Sequence, residues 1–145
     1  MKASQSFLSY LFSALFCLCA FVQPAISQVP EPELKIVNGI QLTSGGIGSE
    51  ESEMLIELGK KWPLTLQFAQ DHSERPLWVA DVNVRIYNTD KKLILETLSD
   101  GPILLINLNP GTYAFEFNYD GRPLRQTIRI ESGKRVKLNI TWPKK

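Results

Sequence analysis

From Leu64 onward, apolar and polar residues alternate with a period of two, the pattern of strands with one buried and one wet face. Leu64, Leu66 and Phe68 alternate with Thr65 and Gln67, and Ala80, Val82, Val84 and Ile86 alternate with Asp81, Asn83 and Arg85. Tyr113, Phe115, Phe117 and Tyr119 alternate with Ala114, Glu116 and Asn118, and Val136, Leu138, Ile140 and Trp142 alternate with Lys137, Asn139 and Thr141. Between these lie residues 93–98, 103–108 and 124–130. Turn chemistry separates them at Asn88-Thr89-Asp90, Asp100-Gly101-Pro102, Asn109-Pro110-Gly111, Asp120-Gly121 and Ser132-Gly133. Seven short strands at this spacing predict a mainly β domain over 64–142, a seven-stranded Greek-key β-sandwich. Ile103-Leu104-Leu105-Ile106 does not alternate, so both its faces are expected to be covered.

Ahead of Leu64 the period is that of a helix. Leu55, Leu58 and Trp62 repeat at i, i+3 and i+7, Ser49 is placed to cap the first turn, and Glu50, Glu51 and Glu53 suit its positive end. Lys60 and Lys61 suit the other end, and Pro63 prevents continuation, so one short helix is expected over 49–63. Residues 28–48 read as a flexible leader. It holds Pro30 and Pro32, then a strand near 34–37 or a small hairpin on Asn38-Gly39, then the glycine loop Gly45-Gly46-Ile47-Gly48.

The first 27 residues have the pattern of a signal peptide: Lys2, an apolar stretch from Phe7 to Val22, Pro24, and small residues at Ala25 and Ser27. Sixteen residues are too few for a bilayer core that needs about 20 in a helix, so cleavage after Ser27 is expected rather than a membrane anchor. Cys17 and Cys19 follow Phe16 and Leu18 rather than a small residue, which argues against lipidation. Both cysteines leave with the signal, so the 118 residues that remain of 145 hold no disulfide and form one domain, exported to the periplasm or the medium. Of 16 basic residues, loss of Lys2 leaves 15 against 15 acidic ones, interspersed in sign. That balance disfavours nucleic acid and anionic membrane surfaces as partners, and no membrane span is expected after cleavage.

The run Ala80 to Ile86, then Thr97-Leu98-Ser99-Asp100-Gly101, then Asn107-Leu108-Asn109-Pro110-Gly111-Thr112-Tyr113-Ala114-Phe115-Glu116-Phe117 and Asp120-Gly121, resembles the carboxypeptidase regulatory-like domain. That family is a transthyretin-like, or prealbumin-like, sandwich of the broad immunoglobulin-like architecture. The resemblance spans roughly 64–142, and its most specific element is Leu108, Pro110, Gly111 and Tyr113. Pro110-Gly111 makes a tight turn, and Tyr113 buries its ring while its hydroxyl reaches backbone near the corner. The glycine loop and acidic helix resemble a leader seen in small exported bacterial proteins with this sandwich. The resemblance implies a binding, accessory or scaffolding module without chemistry of its own, and no functional residue is carried over.

The candidate chemistry is sparse. His72 is the single histidine, in Asp71-His72-Ser73-Glu74-Arg75, and adjacent residues cannot form the geometry of a hydrolytic triad. Asp71, His72 and Glu74 are suitable ligand types without a metal-site spacing. A hydroxyisourate hydrolase reading would need several histidines and a C-terminal Tyr-Arg-Gly-Ser, whereas this chain ends Thr141-Trp142-Pro143-Lys144-Lys145. The glycine loop lacks the Lys-Ser/Thr of a phosphate loop and precedes glutamates that repel phosphate. Asn139-Ile140-Thr141 fits a glycosylation sequon in mid-strand, which is incidental. No catalytic, metal or cofactor site is expected.

The remaining hint is aromatic. Trp62 and Trp78 flank the first sandwich strand, and with His72 and Arg75 they form the candidate binding surface. The expected function is that of a non-enzymatic periplasmic binding or accessory module for an envelope protein. A carbohydrate or small-ligand binding protein is the alternative, with a hydrolase using His72 third.

Overall fold

A computed structural model describes residues 31–145, which form ten strands in two sheets and one helix. In chain order these are β1 (Lys35–Val37), β2 (Ile40–Gly45), α1 (Ser49–Gly59), β3 (Leu64–Gln70), β4 (Leu77–Trp78), β5 (Asn83–Tyr87), β6 (Leu93–Leu98), β7 (Ile103–Ile106), β8 (Gly111–Tyr119), β9 (Arg122–Ile130) and β10 (Val136–Trp142). The signal-peptide reading of residues 1–27 lies outside the described residues, as do leader residues 28–30. Among the described residues no helix is long and apolar enough to cross a membrane.

The chain is mainly β. The seven stretches read as strands overlap β3 and β5 to β10, with ends that differ by a few residues, and β1, β2 and β4 join them, so ten strands stand where the sandwich was expected to have seven. The expected strand over 80–86 starts only at Asn83, because Asp81 takes a left-handed φ of 57° that no extended ladder accommodates.

The first sheet runs β1-β2-β7-β3-β10, and the second β6-β5-β8-β9. β3 is the hub of the first. β7 pairs antiparallel with residues 64–67 and β4 with residues 69 and 70, while β10 runs parallel to β3 from end to end. A parallel pair cannot close through a hairpin; here the whole second sheet lies between its two strands in the chain. Leu64, Leu66 and Phe68 of the first sheet meet Val84, Ile86, Phe115 and Phe117 of the second in one buried cluster. Trp142 closes one end of it, its ring 6.3 Å from Phe68 and its Nε1 donating to the Arg122 carbonyl at 2.9 Å.

Of the two alternatives for the leader, the small hairpin on Asn38-Gly39 is the one present, and from Lys35 on the leader is paired rather than loose. β1 and β2 form a hairpin on Asn38-Gly39, both with positive φ, as a two-residue turn requires. β2 then pairs with β7, and the hairpin is tied to the turn before β7. There Lys35 Nζ donates to Asp100 Oδ2 at 2.5 Å and Asp100 N–H donates to Ser44 Oγ at 2.6 Å.

α1 lies on the outer face of this sheet, with Leu55 buried against Ile103 and Leu105. All four residues of β7 are buried, covered by the sandwich core on one side and by α1 on the other. The helix ends at Gly59 rather than at 63: the N–H groups of Lys60, Lys61 and Trp62 bond three residues back, in tightened turns. Nor is Ser49 its cap. Gly48 holds that position with a φ of 97° that side chains rarely adopt, while Glu51 accepts from the Ile47 N–H at 2.9 Å and Ser52 Oγ donates to the Gly46 carbonyl at 2.7 Å. The glycine run is thus a bonded entry to the helix.

Candidate functional site

β3 ends where the Asp71 N–H donates to the Trp142 carbonyl at 2.8 Å, completing the ladder with β10. The chain then leaves the sheet through exposed residues 71–76 and returns as β4, Leu77 opposite Gln70 and Trp78 opposite Ala69. Val79 anchors the return, its N–H donating to Phe68 O at 3.1 Å and its side chain buried. The backbone is therefore fixed while the side chains are not covered: Trp78 is 62% exposed and Leu77 44%. An indole held on paired backbone loses little freedom when it docks, which is what favours tryptophan at binding surfaces.

His72 and Arg75 lie exposed in the same segment. Ser73, the nearest hydroxyl in sequence to His72, accepts from Lys144 Nζ at 2.5 Å. Among the described residues no three His, Cys, Asp or Glu side chains are grouped as they would be around a metal ion.

Trp62 lies apart from His72, Arg75 and Trp78. It precedes β3 whereas Trp78 pairs with Ala69 near that strand's far end, about 23 Å along the strand at roughly 3.3 Å per residue. Its ring is half-buried against the cluster of Leu55, Ile103 and Leu105 beneath α1.

Two further concavities escaped the sequence reading. A groove of about 510 Å³ lies between α1 and the start of β10, lined by Ile56, Lys60, Gln67, Lys134, Arg135 and Lys137 among others. Lys134, Arg135 and Lys137 sit together in the sequence, but the interspersed signs conceal them. Lys60 joins them only because β10 runs parallel to β3, which follows the helix. The second, about 790 Å³, lies between the β1–β2 hairpin and β6, with Asn38, Gln41, Asn107, Asn109, Lys92 and Tyr113 in its walls. Its amides are partly engaged: Asn38 Nδ2 donates to Ile94 O at 3.1 Å and Asn107 Nδ2 to Gln41 Oε1 at 3.3 Å, while the Tyr113 hydroxyl donates to the Asn109 carbonyl at 2.9 Å. No family model and no curated protein matches the chain.

Proposed function

We propose that the chain is an exported, non-enzymatic β-sandwich module that binds a protein of the cell envelope. The single observation that carries this reading is Trp78, mostly exposed beside Leu77 yet fixed by the β3–β4 pairing. Exposed aromatics on rigid backbone are the anchors around which protein interfaces form. His72 and Arg75 supply polar rim groups in the same segment.

The carboxypeptidase regulatory-like assignment remains part of this proposal, and strand order supports it. Without the hairpin and β4, β7-β3-β10 lies over β6-β5-β8-β9. The chain then passes between the two sheets four times, after β3, β6, β7 and β9, as a Greek-key sandwich of seven strands would.

The test places a photo-crosslinking amino acid at position 77 in the cell that makes the protein. One dominant envelope-protein adduct is expected, its yield cut at least tenfold by Trp78→Ala. An adduct indifferent to Trp78→Ala would overturn the reading. A second reading, a glycan-binding protein, is favoured by the amide-lined groove beside β6, since amides and a tyrosine are suited to sugar hydroxyls. It predicts that soluble envelope glycans shift the Asn107 and Asn109 side-chain signals and leave Trp78 fluorescence unmoved.

A further inference from the structure

β10 is an open sheet edge. The Val136 N–H donates to Pro63 O and the Trp142 carbonyl accepts from the Asp71 N–H, both at 2.8 Å. In a parallel pair alternate residues turn both backbone groups to the neighbour. Val136, Leu138, Ile140 and Trp142 therefore serve β3, while Lys137, Asn139 and Thr141 direct their N–H and C=O groups away from it. No strand of the described residues lies on that side.

The other edges are blunted. β1 is three residues long, the β5–β6 register breaks at a bulge, and β9 carries Pro123. β10 has seven residues with neither proline nor bulge, and Lys137 is its one charged side chain.

The outer face beside that edge is positively charged. Lys60, Lys134, Arg135 and Lys137 are all exposed around the groove between α1 and β10. Glu57 pairs with Lys60 and Glu131 with Lys134, but neither glutamate lines the groove. Arg135 donates to the Lys60 carbonyl at 2.8 Å, a contact that leaves its charge unneutralised, and Lys137 has no ion-pair partner among the described residues. The exposed side chain of Ile56 gives the groove an apolar floor.

We propose that β10 receives an extended acidic segment of a partner protein, added as a further strand, with alternate carboxylates over Lys137 and the groove cations. The added backbone would take the free groups of Lys137, Asn139 and Thr141. Side chains at alternate positions of the new strand would fall on the groove side, about 5 Å from their cross-strand neighbours. This deepens the reading of the chain as a binding module without depending on Trp78.

The test titrates the protein, as secreted by an expressing bacterium, with an eight-residue peptide alternating glutamate with valine or threonine. A counterpart with lysine for glutamate serves as control. With the acidic peptide, amide exchange at Lys137, Asn139 and Thr141 is expected to slow at least tenfold, and the lysine peptide should bind at least tenfold more weakly. Asn139→Pro removes a donor that faces away from β3, so the sheet is kept while peptide binding falls at least tenfold; Lys137→Glu should do the same through charge alone. Equal binding by the Asn139→Pro protein would mean that the cations act without the edge, and overturns the proposal. So would equal binding of both peptides, no binding of either, or slow exchange at these amides before any peptide is added, the mark of an edge already paired with a second copy. Peptide binding is read at β10 and crosslinking at position 77, so the two proposals fail separately.

Discussion

Gly101 marks the seam between the hairpin and the sandwich. A Cβ built there would lie 2.2 Å from the carbonyl oxygen of Gly45, a backbone atom of β2 that cannot rotate away. Gly48 is constrained differently, by a φ of 97° in open space. Gly101→Ala should therefore force β2 from the 99–102 turn and strain the Ser44 and Lys35 contacts of Asp100, at a cost of about 1–3 kcal/mol for an overpacked site. Urea unfolding of the variant checks this, and a loss below about 0.5 kcal/mol, the level of a neutral surface change, would show that the turn gives way freely. The clash was not legible in Asp100-Gly101-Pro102, which announces only a turn. Asn109-Pro110-Gly111 with Tyr113 says more, because a local bond satisfies it: the Tyr113 hydroxyl donates to the Asn109 carbonyl at 2.9 Å.

At the scale of elements, the outer face of the second sheet carries one row of alternating charge across all four strands. Glu96 of β6, Arg85 of β5, Glu116 of β8 and Arg125 of β9 share a register. Arg85 Nε donates to Glu96 Oε1 at 2.8 Å and Arg125 Nη2 lies 2.9 Å from Glu116 Oε2. The Arg85 guanidinium, with a lesser hydrogen bond from the Asn83 amide, holds the Glu96 carboxyl below its ordinary value of 4.5. A carboxyl depressed in the folded state adds stability above its unfolded value, and that increment is lost as pH falls through the folded one. Glu96→Gln should then lower the melting temperature by a constant amount above about pH 5, with the gap to the parent closing as the solution is acidified below 4.5. A gap independent of pH would mean that the row contributes packing and no charge interaction.

Strands such as β8 were legible because alternation is a local record of which face is dry. The parallel β3–β10 pairing was not, since nothing local encodes which strand lies beside which. The basic groove went unread for the same reason. The start of β2 was legible in the Asn38-Gly39 turn, but its end was not, because Thr43, Ser44 and Gly45 are buried among the first sheet, α1 and the 99–102 turn, so these polar residues mimic a loop.

At the scale of the whole fold, the described residues form two cores of unequal size. Eighteen buried residues fill the space between the sheets, whereas only Leu55, Ile103 and Leu105 are buried in the cluster beneath α1, with Leu58 and Trp62 partly so. Ile103 and Leu105 belong to β7, which is bonded on both edges and stays in place if the helix lifts. The helix has no side-chain cap and no cation in its last turn, so most of its stability comes from Leu55 and the Gly46–Ile47 contacts. Elements attached through few buried contacts open at lower free energy than the global transition. Hydrogen exchange under mild denaturant should therefore find α1 amides opening before those of β3, β5 and β8, with a smaller denaturant slope because less surface is exposed. Leu55→Ala should lower that opening energy by about 2–5 kcal/mol, as removal of a buried leucine does elsewhere, while leaving the amides of the second sheet in their native arrangement. If α1 and the strands instead exchange with one free energy and one slope, the helix is an integral layer of the sandwich. The β10 groove it walls would then be as rigid as the sheet beneath.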